Sequence, residues 1–217
     1  MKLWVLALTT ASASDLALLV HPLVQLISGV IRLSNHMKYF PFHLKSFELL
    51  CMINQKTGQF VPAAQYILVP FESNNYNFFN AKPKKLEDKI IPDSLISLKI
   101  AKKHLETSEM KDRIIREALA ALTQYLAISS DSIALPEMCI SISGILRKFK
   151  KQSNNNTYRK SVQTFLELLQ KQQDVIIAER SKVKDKSLRD APKLTLQFSK
   201  QLHSVILPLV KESEKLN

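Results

Sequence analysis

The stretch His21–Leu50, which reads HPLVQLISGVIRLSNHMKYFPFHLKSFELL, decides the fold class of this chain. Its first half repeats apolar residues at steps of three and four, the spacing of one broad buried face on an α-helix. The residues predicted to face inward are Leu23, Leu26, Ile27, Val30 and Ile31. Pro41 suits the first turn of a second helix, in which Leu44, Phe47 and Leu50 repeat the pattern. Two apolar helices joined by a short turn are typical of a helical-repeat protein.

The composition also favours helices and excludes several classes of site. The 217 residues include only three glycines, whereas an average protein has about 7%. Phosphate-cradling loops, dinucleotide fingerprints and the G-x-S-x-G nucleophile elbow are therefore absent. None of the five histidines forms a metal-ligand pair, and His36 and His43 lack a nearby cysteine or carboxylate. Cys51 and Cys139 are predicted to be buried, reduced thiols. We expect no catalytic, cofactor or metal site.

Helical segments and polar breaks divide the chain into four predicted parts. These are an N-terminal helical-repeat lobe at 1–72, an irregular connection at 73–93, a second helical lobe at 94–191 and a C-terminal helical tail at 192–217. Gly58 is placed to end a helix in the left-handed conformation. Helix pairs at a spacing of roughly 40 residues fit stacking of the HEAT or armadillo type. The predicted fold is an all-α, HEAT/armadillo-like solenoid.

The second lobe has the clearest periodicity. One predicted helix turns Ile115, Leu119, Leu122 and Leu126 inward, with Lys111 outside that face. The next begins at Pro136 with Met138, Ile142, Ile145 and Phe149 inward. A third, long helix runs to about Lys182. A charged patch follows at 182–193, and a last apolar segment is expected at 194–210.

Positive charge is concentrated in the second half of the chain. The net charge is +12, and residues 81–217 carry twenty-six Lys and Arg against sixteen Asp and Glu. Six cations gather where one predicted helix ends and the next begins: Arg147, Lys148, Lys150, Lys151, Arg159 and Lys160. This density could follow an RNA backbone, with Tyr158 stacking on a base. The alternative is a solvated turn whose cations suit a helix C-terminus. The basic runs at 82–85 and 182–186 are weak nuclear-import signals.

Two aromatic groups are candidates for contacts with a partner. The first is Tyr39, Phe40 and Pro41, and the second is Tyr76, Phe78 and Phe79. Packing against the chain itself is the simpler interpretation of the second group. The first residues also resemble a secretory signal, but the apolar run Leu3–Leu8 is short. Residues 16–31 are too few for a membrane span, which needs about 20.

Strings along the chain resemble the nucleolar complex protein 2 family in the same order. They are HPLVQ at 21–25, GVIRL at 29–33, YFPF at 39–42, SIALPE at 132–137, LRKF at 146–149 and IAERSKV at 177–183. The resemblance covers roughly residues 1–191, and we recognise no match for residues 194–217. Since family members extend further toward the N-terminus, we expect Met1 to fall inside the family domain. Such a start would expose an apolar face near residues 3–31.

The resemblance implies a non-enzymatic role in ribosome biogenesis. Family members act as scaffolds in the assembly and intranuclear transport of large-subunit pre-ribosomes, in the nucleolus and nucleoplasm. The implied partners are nucleolar complex proteins of types 1 and 3, pre-ribosomal particles and rRNA, with no membrane or small-molecule substrate. Two alternatives remain open. One is a helical-repeat adaptor that does not contact RNA, and the other is a secreted helical protein glycosylated at Asn155.

Overall fold

The computed structural model describes residues 1–10, 16–34, 36–84, 97–129 and 134–182, and every regular element in these ranges is a helix. The α-helices are α1 (Lys2–Thr10), α2 (Ala17–Leu33), α3 (Phe40–Thr57), α4 (Ala64–Ile67), α5 (Tyr76–Asn80), α6 (Lys102–Leu105), α7 (Ser108–Ile128), α8 (Leu135–Gln152) and α9 (Asn156–Lys182). Single 3₁₀ turns lie at Met37–Tyr39, Val69–Phe71 and Ser73–Asn75. The all-α class is confirmed, and the HEAT-like repeat type stays a prediction. The segment expected at 194–210 and the patch at 183–193 lie outside the described residues.

Helix α3 begins and ends where the sequence predicts. Pro41 lies in its first turn, where the missing N–H would have no intrahelical partner. The helix stops at Gly58, whose φ of 67° is left-handed and whose N–H donates to Asn54 O. A residue without a Cβ adopts this conformation at little cost. The helix buries Phe47, Leu50 and Cys51, and burial raises the pKa of Cys51 to about 12.

Helices α1, α2 and α3 contact one another in the first compact unit, which spans Met1–Ala121. Helix α2 turns Val20, Ile27, Ser28 and Ile31 inward. The prediction that Leu26 is also buried is wrong, since its side chain is 56% exposed. The buried face of α2 is narrower than the apolar pattern suggests because apolar residues also occupy its opposite side.

His43 joins the end of α2 to α3. Its Nε2–H donates to Ser34 O at 3.0 Å, and the residue is buried. The Nδ1 atom has no hydrogen-bond partner among the described residues. Burial lowers the pKa of His43, and the bond to Ser34 acts in the opposite direction. The imidazole therefore acts as a neutral donor that satisfies a carbonyl beyond the end of α2.

Lys111 holds the segment after α5 against the start of α7. Its Nζ donates to Ala81 O at 2.9 Å and lies 4.9 Å from the centroid of the Phe78 ring. The prediction that Lys111 lies outside the buried face is wrong, since only 3% of it is exposed. Burial lowers the pKa of Lys111, and the Glu106 carboxylate opposes that shift. The cation remains in the core because a carbonyl and an aromatic face replace water.

The first unit extends further along the chain than the predicted N-terminal lobe. Ile100 N donates to Lys38 O at 2.7 Å, and Lys84 pairs with Glu106. These contacts attach residues 97–111 to the first unit, whose boundary with the second lies at 121/122, inside α7. The sequence instead placed the division in the connection at 73–93. The described part of that connection contains the 3₁₀ turn Ser73–Asn75 and α5.

Candidate nucleic-acid interface

Helices α8 and α9 pack along each other and form the main described part of the second unit. Their shared core follows the helical period and consists of Cys139, Ile142, Leu146, Phe149, Val162, Phe165, Leu169 and Ile176. The predicted inward residues Ile142 and Phe149 are buried, whereas Met138 and Ile145 are only partly covered. Cys139 is fully buried, and burial raises the pKa of its thiol to about 12. Both cysteines are thus buried free thiols, as predicted.

The turn between α8 and α9 is fixed by its own hydrogen bonds. Ser153 is buried, and its N–H donates to Phe149 O at 2.8 Å. Asn155 Oδ1 accepts from Thr157 N at 2.9 Å and so caps the first turn of α9. Such a cap satisfies an N–H that has no intrahelical partner. The two helices therefore meet in a turn that hydrogen bonds fix in place, with Gln152, Asn154 and Asn156 exposed around it.

Two of the six predicted RNA-contact cations stabilise this turn. Arg159 Nε donates to Ser153 O at 2.6 Å, so the guanidinium reaches back over the turn. Lys150 Nζ donates to Gln163 Oε1 at 2.5 Å and bridges α8 to α9. Both groups retain their charge and contribute to the local potential. Hydrogen bonds within the chain, however, fix the positions of the Lys150 and Arg159 side chains.

The other four cations have no hydrogen-bond or ion-pair partner among the described residues. Arg147, Lys148 and Lys151 are exposed on α8, and Lys160 is exposed on α9. At 100° per residue, the three α8 cations lie on the side of α8 opposite Ile142 and Leu146. We call Arg147, Lys148 and Lys151 the α8 cation face. The predicted cluster of six thus becomes three cations on one helix face and one on the neighbouring helix.

Positive charge predominates in the sequence around the α8 cation face. The sequence has no Asp or Glu between Glu137 and Glu167. The cations occupy the last turns of α8, where the carbonyl ends of the helix dipole favour positive charge. Together they can neutralise phosphates at a spacing set by the helix, without reading base identity.

Tyr158 does not take the predicted part in base stacking. Its side chain is 3% exposed and faces the same side of α9 as Val162. A ring at this position packs in the core and cannot present a π-face to a nucleotide. The prediction failed because consecutive residues on an α-helix point about 100° apart, so Tyr158 faces the core although its neighbour Arg159 is exposed.

The far end of the α8–α9 pair is closed by a bidentate ion pair that the sequence analysis missed. Arg180 Nη1 and Nη2 donate to Glu137 Oε1 and Oε2 at 2.7 and 2.6 Å. Gln173 Nε2 also donates to Pro136 O at 3.1 Å. The hydrogen bond from Arg180 lowers the pKa of Glu137 to about 2, assisted by the backbone N–H of Glu137. With the turn fixed at one end and this pair at the other, the α8 cation face lies on a well-supported helix.

The aromatic residues predicted to bind a partner divide into two sets. Phe40, Pro41 and Phe79 are buried within the first unit, which makes them packing residues. Tyr39, Tyr76 and Phe78 are partly exposed. Lys38 Nζ lies 4.9 Å from the Tyr39 ring centroid, and Phe78 contacts Lys111. Two of these three rings, Tyr39 and Phe78, are thus already in contact with cations of the chain.

The described residues present neither a metal centre nor a membrane-spanning helix. No three side chains among His, Cys, Asp and Glu come together there in a group that could bind an ion. None of the described helices combines the length and the apolar character that crossing a bilayer requires.

Comparison with known proteins relates the chain to one family. The sequence profile of the Noc2p family matches residues 1–212, so the prediction that the resemblance ends at residue 191 is wrong, and the match includes most of the segment 194–217. The chain is 27% identical over 183 residues to Nucleolar complex protein 2 of Drosophila melanogaster, covering 84% of the chain and 23% of that protein. It is 24% identical over 185 residues to Nucleolar complex-associated protein 2 of Arabidopsis thaliana, covering 85% of the chain and 24% of that protein. An uncharacterized NOC2 family protein of Schizosaccharomyces pombe is 28% identical over 172 residues. The chain spans about a quarter of the length of these relatives.

Proposed function

This chain belongs to the Noc2p family, and we propose that it is a non-enzymatic scaffold in ribosome biogenesis that acts in the nucleolus. The names of its relatives, Nucleolar complex protein 2 and Nucleolar complex-associated protein 2, support the nucleolar assignment. The finer proposal is that it assists the assembly and intranuclear transport of large-subunit pre-ribosomes, in the nucleoplasm as well as the nucleolus. Its protein partners would be nucleolar complex proteins of types 1 and 3, bound by helices stacked in a HEAT-like solenoid.

The observation that carries the RNA part of this proposal is the α8 cation face. Arg147, Lys148 and Lys151 are exposed on one side of a helix, with no carboxylate partner in the described residues. An isolated lysine on a surface needs no functional explanation. Three adjacent cations on a helix that is fixed at both ends provide a row of charge whose spacing does not have to be organised on binding. Contact would be with rRNA phosphates and RNA shape.

The first test is RNA affinity as a function of salt. The full chain is titrated against a fluorescein-labelled structured RNA hairpin, and the slope of log K against log salt concentration is measured. Neutralising three phosphates predicts that the α8 cation face contributes about −2 to the slope, since each contact contributes about 0.7 to 0.9. The variant with Arg147, Lys148 and Lys151 each changed to Ser should lose that contribution and bind at least about tenfold more weakly in low salt.

A matched control separates this face from total charge. Changing the exposed residues Lys56, Lys99 and Lys102 to Ser removes the same charge from the first unit. The control should keep most of the slope. If the two variants lose affinity and slope equally, the chain has no RNA-binding face. A helical-repeat adaptor without RNA contact then becomes the better description.

The second test addresses the biological role. The tagged chain is purified gently from its own cells, and the co-purifying RNA and proteins are identified. Large-subunit rRNA precursors together with another nucleolar complex protein are the expected result. Recovery without pre-ribosomal RNA would contradict the proposed role of this chain.

A further inference from the structure

The outward side of α2 carries a second apolar stripe, opposite the face that packs in the first unit. It consists of Leu18, Pro22, Leu26, Gly29 and Leu33, and we call it the α2 stripe. The steps of four, four, three and four place these residues within roughly 80° of arc at 100° per residue. Leu18, Leu26 and Leu33 are 81%, 56% and 90% exposed. A run of exposed leucines at helical spacing is the pattern of an interaction surface and not of scattered surface residues.

The shape of the α2 stripe fits a second helix. From Leu18 to Leu33 the stripe extends about 22 Å along the axis, which is about four turns. At Gly29 a Cβ would meet nothing within 4 Å, so another backbone can approach the helix closely there. The alternation of leucines with a small residue gives knobs and a hole of the kind used in helix–helix packing. An amphipathic helix that lies along α2 would cover all five residues.

The border of the α2 stripe specifies the charge of that helix. His21, Gln25 and Arg32 lie along one side of the stripe in the helical register. Gln25 Nε2 lies 3.4 Å from His21 Nε2, and the Arg32 guanidinium lies 6.0 Å from the Tyr66 ring centroid. Arg32 is the one Lys or Arg in residues 17–33, and that stretch contains no Asp or Glu.

Charge also argues against a second copy of this chain as the occupant. A second copy of α2 would bring another Arg32 and no carboxylate to pair with it, because residues 17–33 contain no Asp or Glu, and like charges across an interface reduce its stability. A helix whose apolar side is flanked by carboxylates would instead place Asp or Glu beside Arg32, as flanking charges do in paired helices.

We propose that the α2 stripe binds an acidic amphipathic helix of a partner protein. The inference rests on the scaffold part of the proposed function, for which it supplies a partner surface. It does not depend on RNA contact by the α8 cation face. The apolar contact supplies the affinity, and a carboxylate next to Arg32 sets the choice of partner.

The test uses two synthetic helical peptides of about 20 residues with the same leucine stripe. One carries Glu along both borders of the stripe and the other carries Lys. Each is labelled with fluorescein, and anisotropy is followed during titration with the full chain. We expect the Glu peptide to bind at least about tenfold more tightly than the Lys peptide, with the difference shrinking as salt is raised.

Variants identify the surface. Leu26→Glu combined with Leu33→Glu should weaken binding of the Glu peptide by at least about tenfold, since two buried leucines are lost from the contact. Leu98 is 57% exposed and lies outside α2, so Leu98→Glu is the matched control and should have no effect. Helicity by circular dichroism establishes that both variants fold. Equal binding of the two peptides, or binding unaffected by the α2 changes, would overturn the proposal.

Light scattering of the chain alone tests whether a second copy of the chain, and not a partner helix, covers the α2 stripe. A dimer that dissociates in the Leu26→Glu, Leu33→Glu variant would assign the stripe to a second copy and overturn the partner helix. RNA binding by the same variant is measured in parallel and should be unchanged. If this variant loses peptide binding but keeps salt-dependent RNA binding, the RNA part of the proposed function stands. If the chain binds the peptide but shows no salt-dependent RNA binding, only the RNA part is removed.

Discussion

Helices α2 and α8 are of similar length, 17 and 18 residues, and each buries one side in its own unit. Their outer sides differ in charge. Helix α2 exposes leucines and has one arginine, Arg32, beside them, whereas α8 exposes Arg147, Lys148 and Lys151 together with the apolar Ile140. The first unit thus offers a surface whose attraction is mainly hydrophobic, and the second offers one whose attraction is mainly ionic. Raising the salt concentration should leave the first largely intact and weaken the second.

The largest expected change in the free energy of unfolding comes from truncating a leucine on the inner side of a helix, compared with one on the outer side. Leu146 on the inner side of α8 is fully buried, whereas Leu33 at the end of α2 is 90% exposed. Leu146→Ala should lower the free energy of unfolding by about 2 to 5 kcal/mol, because it leaves a cavity in the core of the second unit. Leu33→Ala should change it by less than about 0.5 kcal/mol. Urea unfolding followed by circular dichroism measures both, and equal effects would mean that α2 turns its stripe inward.

An intermediate change in the free energy of unfolding is expected when a buried lysine is replaced, compared with an exposed one. Lys111→Ala removes the hydrogen bond to Ala81 O and the contact with the Phe78 ring. The free energy of unfolding should fall by about 1 to 3 kcal/mol, since a side chain that is only 3% exposed loses its packing and its hydrogen bond. Lys148→Ala on the α8 cation face is the matched control and should lie within about 0.5 kcal/mol of the unchanged chain. A large loss in the control would place Lys148 in the fold and weaken the case for an RNA-contact face.

The smallest effect concerns the support of the α8 cation face. The pKa of Glu137 is lowered from 4.5 to about 2 in the folded chain. The carboxylate therefore stabilises the folded chain above about pH 4.5, and this contribution is lost as the pH falls toward about 2. Because Glu137 is 60% exposed, solvent screening limits the gain to about 1 kcal/mol.

The difference in unfolding free energy between the unchanged chain and Glu137→Gln measures this contribution. It should be about 1 kcal/mol at pH 7 and should vanish near pH 2. Glu109 is exposed and has no ion-pair partner among the described residues, so Glu109→Gln serves as the control for removing a carboxylate. A pH-independent difference for Glu137→Gln would mean that Arg180 does not pair with this carboxylate in solution.

Local rules account for what the sequence could predict. Pro41, Gly58 and Pro136 mark helix ends through backbone geometry that depends only on the residue itself, and the structure confirms all three. The burial of Leu122 and Ile142 follows from helical spacing in the same way. The all-α class was predictable for this reason, because it is a sum of local preferences.

Features that depend on distant residues were not predictable. A lysine at position 111 is expected to be exposed, because its charge favours water. Its buried position follows only from contacts with Phe78 and Ala81, which lie about 30 residues away in the sequence. Arg180 and Glu137 are 43 positions apart, so no spacing links them. In α2 both sides are apolar, and periodicity alone does not decide which side the neighbouring helices cover. Of the six predicted cations, the turn geometry decides which two become structural.

The two buried thiols make the chain convenient for site-specific chemistry. Cys51 and Cys139 are enclosed in separate units, and the pKa of each is about 12. At pH 7 roughly one thiol in 10⁵ is ionised, and the thiolate is the reactive form. A single cysteine introduced on the surface, for example at Leu33 or Lys151, should then react with a maleimide far faster than either native residue. Spectroscopic labels and photocrosslinkers can be attached to the outer side of α2 or α8 while both native cysteines stay in place.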